Sequence, residues 1–359
     1  MPIELKPVEE TSITYKSEWP KHLDPALKST SEKITRFVWN LLSVIIFPIG
    51  LYRIASSYIR DRVLSIIVPG IIVGPDSLFQ IPKWIFQFFF NRPALNTNLE
   101  DRGKDILDEH KGSSLILTAA DGATLDGAFF PGKTHPKKAI IYLGGNGEQW
   151  ELMFKEVRRF QSHGTSVLLF NPRGVGKSTG TRYEQGYALD VFAAYQFLIS
   201  KKNIDPEDIL LIGYSMGAAI GACGASLVQK EYPDKKISGV NIFSFSDLNL
   251  EIDEILKDFG GILSRIGRLA NRMIGFDLCP KKAWETLKGT KWIFHNPHDG
   301  IILEKASLKV AVDEKTSNIF SFTRPWPHVF FFHAYESKIL DNEIIPNILK
   351  LNHATTQSA

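Results

Sequence analysis

The chain has 359 residues, of which 44% are hydrophobic and 23% charged, and its formal net charge is +3. A chain of that size and composition can bury a large core without covalent staples, which excludes a disordered segment or a disulfide-held miniprotein. The small net charge, with no basic stripe interleaved with aromatics, gives no sign of a nucleic-acid partner.

The only cysteines are Cys223 and Cys279, too few for a disulfide framework or a Cys-rich metal site. Cys223 lies in Gly221-Ala222-Cys223-Gly224-Ala225 and reads as buried packing. A reducing compartment is the implication.

Residues 1–32 are polar and charged, and a flexible arm is expected there. No early apolar run marks a signal peptide, so a cytoplasmic or membrane-associated protein is expected. Residues 33–110 form an apolar, helical N-terminal segment with a charged linker. Its apolar runs are 37–52, interrupted by Pro48 and Gly50, 63–73, broken at Pro69-Gly70, and 84–90. A spanning helix needs about 20 apolar residues, so none of the runs is a confident span. Two readings stand: contact with a membrane surface through residues 37–90, or a helical layer packed on the domain that follows.

Residues 111–352 read as one domain, with 353–359 as a tail. Its predicted strands are Leu115–Thr118, Thr124–Phe130, Ala139–Leu143, Ser166–Phe170, Ile209–Ile212, Val240–Phe243, Trp292–Phe294 and Ile319–Phe322. Asp121-Gly122 between the first two signals a hairpin. Helices are predicted from about Gln149, over Tyr183–Ser200 and from Met216. Apolar strands separated by helices imply a mostly parallel, eight-stranded sheet with helices on both faces, an α/β class. Residues 248–288 interrupt the alternation after the sixth strand. Ile252, Ile255, Leu256 and Phe259 share one helical face there, as in a lid.

Three motifs carry chemistry. Gly213-Tyr214-Ser215-Met216-Gly217 matches G-x-S-x-G between a buried strand and a small-residue helix, the context in which that turn lifts a serine hydroxyl above a sheet. Its bland alternative is a tight turn with an exposed serine. Leu143-Gly144-Gly145-Asn146-Gly147 follows the third strand, where acyl transfer needs backbone N–H donors for an oxyanion. The N–H groups of Asn146 and Met216 are the candidates. Asn171-Pro172-Arg173-Gly174-Val175-Gly176-Lys177-Ser178 approaches a phosphate loop, but Asn171 stands where G-x-x-x-x-G-K-[ST] requires glycine. A structural turn at the site's rim is expected instead, and no cofactor.

Taken in order, these motifs resemble the Bem46-like branch of the α/β hydrolases, which has a His-Gly-Asn stretch, a Tyr-Arg-Gly-Tyr-Gly-Ser stretch and the nucleophile elbow. Phe245-Ser246 is similar to that branch's segment after strand six. The apolar N-terminal segment joined to such a domain also resembles the chlamydial CHLPS-type hypothetical hydrolases. The resemblance spans about Leu115 to Leu349, and Gly144 departs from the branch's usual histidine. It implies the α/β-hydrolase fold and a nucleophile, acid and base in that chain order. Ser215 is then the nucleophile, and Asp299, after the seventh strand, the acid, with Asp247 as runner-up. The base is His328, or alternatively His333. His295 and His298 flank the acid without a third ligand at suitable spacing, so no metal is expected. The implied activity is a serine hydrolase cleaving a carboxyl ester or thioester, on a small-molecule or lipid substrate. The alternative is a catalytically silent interaction or membrane-associated protein on the same fold.

Overall fold

A computed structural model describes residues 12–21, 99–146, 148–180, 182–256, 265, 278–321, 328 and 338–351. The apolar runs between 37 and 90, the lid residue Phe259 and His333 lie outside the described residues.

The strands are β1 (Ile13–Lys16), β2 (Ser113–Thr118), β3 (Thr124–Phe130), β4 (His135–Leu143), β5 (Thr165–Phe170), β6 (Ile209–Tyr214), β7 (Ser238–Ile242), β8 (Lys291–His295) and β9 (Asn318–Ser321). They form one sheet in the order β1-β2-β3-β5-β4-β6-β7-β8-β9. Pairing is antiparallel for β2–β3 and β3–β5 and parallel elsewhere. Gly122, at φ 92°, closes the β2–β3 turn in a region that favours glycine.

The sheet has nine strands rather than the eight expected. The extra strand, β1, comes from the stretch read as a flexible arm. Its four residues alternate apolar and polar, Ile13-Thr14-Tyr15-Lys16, too short a pattern to stand out among charged neighbours. Ile13 pairs with Leu115, and the Tyr15 ring meets Phe197 edge-on at 5.7 Å.

The helices are α1 (Leu99–His110), α2 (Phe154–Gln161), α3 (Glu184–Ser200), α4 (Met216–Glu231), α5 (Leu248–Leu256), α6 (Pro280–Glu285), α7 (Leu308–Ala311) and α8 (Ile345–Leu349). A single 3-10 turn, Trp150–Leu152, precedes α2, where one longer helix was expected. Side chains alternate across each strand, so two cores form. Ile141, Leu143 and Leu211 join α3 and α4 on one face. Ile140, Tyr142 and Ile212 join α2 and α8 on the other. Helix α4 can lie close to α3 because it is built of glycine and alanine. A Cβ on Gly224 would stand 2.1 Å from Val191 Cβ.

The Asn171–Ser178 loop is a structural turn pinned by a buried ion cluster. Arg173 donates to Asp190 from Nη2 (2.7 Å) and Nε (3.0 Å), and to Asp121 from Nη1 (2.6 Å). Burial alone would lower the Arg173 pKa, but the two carboxylates overcome this and raise it. Removing one partner of a buried pair strands the other charge. Asp190→Ala is expected to lower unfolding free energy by about 3–5 kcal/mol. Urea denaturation measures this, and an unchanged midpoint would show that Asp121 alone holds the guanidinium.

Candidate active site

The site sits outside the carboxyl ends of β4 and β6. From β4 the chain places β5 on one side and β6 on the other, the place where open α/β sheets form a crevice. Ser215 links β6 to α4 with φ 53° and ψ −122°, a backbone conformation that non-glycine residues rarely adopt. The neighbouring glycines permit it. A Cβ on Gly213 would stand 2.4 Å from Ala218 Cα, and one on Gly217 would stand 2.2 Å from the Gly144 carbonyl oxygen. The Ser215 N–H donates to Ile242 O (2.8 Å), tying the turn to β7.

This turn delivers Ser215 Oγ to 3.0 Å from His328 Nε2. His328 Nδ1 lies 2.8 Å from Asp299 Oδ2. The other Asp299 oxygen accepts the N–H groups of Ile301 (2.8 Å) and Ile302 (3.0 Å). A carboxylate held by two donors is an acceptor only, so the hydrogen between Asp299 and His328 belongs on Nδ1. Nε2 then presents its lone pair to the serine hydroxyl. The three residues are 7%, 5% and 9% exposed for Ser215, Asp299 and His328, so the line is shielded but reachable. The imidazole packs against the rings of Tyr214 (5.5 Å) and Phe243 (6.0 Å), which meet each other at 6.3 Å. Such an arrangement can pass the serine proton to the imidazole while Asp299 balances the charge that forms.

The loop after β4 leans on the turn. A Cβ on Gly145 would stand 2.9 Å from the Tyr214 ring and 3.5 Å from Ser215 Cβ. The Gly145 N–H is engaged by Glu148 Oε2 at 2.8 Å. Asn146 follows directly in this loop, and Met216 opens α4, where N–H groups lack intrahelical acceptors. The geometry therefore brings Ser215, Asp299 and His328 together, with both proposed oxyanion residues on the adjoining segments.

The runner-up acid, Asp247, is used elsewhere. Its Oδ1 accepts the N–H groups of Asn249 (2.7 Å) and Leu250 (3.1 Å) at the start of α5. His295 is buried, and its pKa is lowered first by that burial and then by Lys309, which describes a neutral core histidine. Among the described residues no cluster of three or more His, Cys, Asp or Glu could hold a metal ion.

Sequence reasoning missed two features. Phe243 reaches the imidazole from a positive φ of 51°, and no motif marks it. Glu251 is buried on α5, and its carboxyl is pushed up to about 8 by burial and by the nearby Asp299 and Glu254 charges. Its only sequence signal is a charged residue next to Ile252 on α5.

A family model described as the alpha/beta hydrolase fold matches residues 138–264. An alpha-beta hydrolase from Vibrio vulnificus superposes with a TM-score of 0.54 at 18% identity, covering 77% of this chain and 95% of that one. The chain has the α/β-hydrolase fold. An esterase from Pyrococcus furiosus superposes with a TM-score of 0.52 at 20% identity, covering 72% of this chain and 95% of its own. An uncharacterized Mycobacterium tuberculosis protein is 34% identical over 112 residues, 30% of this chain and 39% of that protein. The uncharacterized protein YfhR of Escherichia coli is 30% identical over 116 residues, 31% of this chain and 41% of its own. The chain thus spans about two-fifths of the length of these curated relatives.

The elbow geometry yields a paired test. Gly217→Ala drives a methyl into the Gly144 carbonyl and is expected to lower stability by about 1–3 kcal/mol. Gly300→Ala meets open space next to Asp299 and is expected to change stability little. Equal denaturation midpoints for the two variants would show that the elbow can relax around a Cβ.

Proposed function

We propose that this chain is a serine hydrolase of the Bem46-like type that cleaves carboxyl esters or thioesters through an acyl-enzyme. One observation carries the reading: the unbroken line from Ser215 Oγ through His328 to Asp299, at 3.0 and 2.8 Å. His328 takes the serine proton as Oγ attacks the acyl carbon. The Asn146 and Met216 N–H groups receive the oxyanion, and His328 returns the proton to the leaving group. Water then repeats the sequence in reverse roles and frees the acid. Asp299 keeps its charge throughout and steadies the imidazolium. The Pyrococcus furiosus neighbour is an esterase, which favours carboxyl esters as the substrate class. The intact line tells against a silent scaffold, which has no need to bury a strained serine against a histidine.

Ser215→Ala is expected to abolish labelling by a fluorophosphonate probe while the fold persists. His328→Ala is expected to lower kcat for a nitrophenyl ester by roughly 10³–10⁴. His333→Ala is expected to do far less, and the reverse pattern would move the base to His333. Labelling of wild type and Ser215→Ala alike would remove Ser215 from the mechanism.

Lipid esters enter the proposal through the apolar runs at 37–52, 63–73 and 84–90. Among the described residues no helix is long and apolar enough to cross a membrane. We place these runs at a membrane surface, with Arg53, Arg60 and Arg62 reaching anionic head groups. The full chain is expected to float with anionic vesicles. The triple change Arg53→Glu, Arg60→Glu, Arg62→Glu is expected to weaken that binding by at least about tenfold. A full chain that stays at the bottom of the gradient would make the runs a packed layer.

A further inference from the structure

Behind the loop that carries Asn146 lies a buried polar cluster that the mechanism above does not use. Asp126 on β3 and Glu151 in the 3-10 turn are both buried. Their carboxyl groups are hydrogen-bond partners, so one of them must carry a proton in that contact. Asp126 grips the segment leading out of the loop, and Glu151, which belongs to that segment, is gripped from the loop after β5. The Trp150 indole Nε1–H donates to Asp126 Oδ2 (2.9 Å), and Asn171 Nδ2 donates to Glu151 Oε2 (3.1 Å). The Trp150 backbone N–H donates to Asn171 Oδ1 (2.9 Å). Asn171 is held in turn, since its carbonyl accepts from Ser178 Oγ (2.7 Å) and its N–H donates to Asp126 O (2.8 Å). The loop between β4 and Trp150 is thus fixed at one end by the sheet and at the other by this cluster.

We propose that Asp126 and Glu151 are positioning residues that share one proton, and that this shared proton holds the oxyanion loop against the nucleophile. The inference rests on the serine-hydrolase reading for the loop's role. With the proton in place, the pair carries one negative charge satisfied by Trp150 and Asn171. Without it, two carboxylates face each other at hydrogen-bond range in a buried site, and the pair must part. Glu151 sits in the same turn as Trp150, so its departure moves the loop's anchor.

The surrounding charges do not remove this repulsion. Lys177, on the loop after β5, is the cation that faces both carboxyls, and it is shared with the exposed Glu100 of α1 at 3.8 Å. Glu100 also engages Lys104 of α1 at 3.8 Å. Helix α1 packs Gly103 on Trp150 and Glu151, and its Ile106 joins the same core as Trp150. Strands β2 and β5, beside β3, hold no ionisable side chain. Burial pushes the Glu151 carboxyl up to about 7, with the Asp126 charge adding to it. Burial also raises Asp126. A raised acid pKa stabilises the folded arrangement below the ordinary carboxylate range, and that contribution is lost as pH climbs through the folded value. The clamp is therefore closed in mild acid and loosens above about pH 7.

The test uses the full chain in wild type, Glu151→Gln and Trp150→Phe. Two readouts are followed from pH 6 to pH 9: kcat for nitrophenyl acetate, and amide exchange of the peptide spanning 143–153, corrected for intrinsic chemistry. Glutamine keeps a donor for Asp126 and an acceptor for Asn171 but cannot ionise. The ratio of kcat at high pH to kcat at neutral pH is expected to be on the order of tenfold larger in Glu151→Gln than in wild type, within the hundredfold worth of an oxyanion donor. Protection of 143–153 is expected to fall with pH in wild type and to stay level in Glu151→Gln. Trp150→Phe removes a donor that favours the charged Asp126, so the inflection in exchange is expected to move to higher pH. Superimposable pH profiles for wild type and Glu151→Gln in both readouts would overturn the proposal. If wild type shows no Ser215-dependent hydrolysis, the serine-hydrolase reading falls. The exchange data then decide the clamp alone: a pH-dependent loss of protection in wild type that Glu151→Gln abolishes supports it, and none overturns it.

Discussion

A serine backbone held at φ 53° organises this molecule, and it is possible only where side chains are missing on both sides of it. A residue in that region is strained by on the order of 1–3 kcal/mol, so the surroundings must fix it. They do so from three directions. Strand β7 accepts the serine N–H, α4 begins at the next residue, and the loop after β4 closes over Gly217. The approach of the loop to Gly217, and that of Ala218 to Gly213, bring backbone to a distance no Cβ allows. The hydroxyl is consequently aimed by the sheet itself and not by its own rotamer alone.

Acid and base arrive differently. Asp299 follows β8, and its position depends on two backbone N–H groups immediately downstream, a local turn that any Asp-Gly sequence could form. His328 is held by contacts instead of by an element. It packs against two aromatic rings, which also meet each other, and it hydrogen-bonds at both nitrogens. The orientation of the imidazole thus rests on Tyr214, which belongs to the elbow, and on Phe243, which directly follows the neighbouring strand. Nucleophile and base share their scaffold, so a distortion of the elbow is felt at both.

The strands of the central sheet were legible because a parallel sheet covered on both faces writes itself as short apolar runs, such as Ile209-Leu210-Leu211-Ile212. The elbow was legible because its glycines are obligatory. Asn171 stands where a phosphate loop would need glycine, but the part it plays in the fold was invisible. Its side-chain amide links Trp150 to Glu151, and that linkage joins residues far apart in the chain. The Asp126–Glu151 contact was hidden for the same reason, since two acids of opposite sequence context carry no periodic signal. β1 escaped because four alternating residues between charged stretches are indistinguishable from a solvated arm until the partner strand is known.

That short strand has a consequence for assembly. β1 lies along β2 and occupies hydrogen-bonding groups that β2 would otherwise present to solvent. It reaches that place from 102 positions earlier in the chain, Leu115 pairing with Ile13, so its closure belongs to the slow, non-local part of folding. Until it docks, a partly folded chain shows a bare β2 margin to its neighbours, and the same segment from a second copy could fill it. Exchange of this strand between molecules would leave both sheets complete, which makes β1 a guard against unintended pairing as well as a part of the sheet.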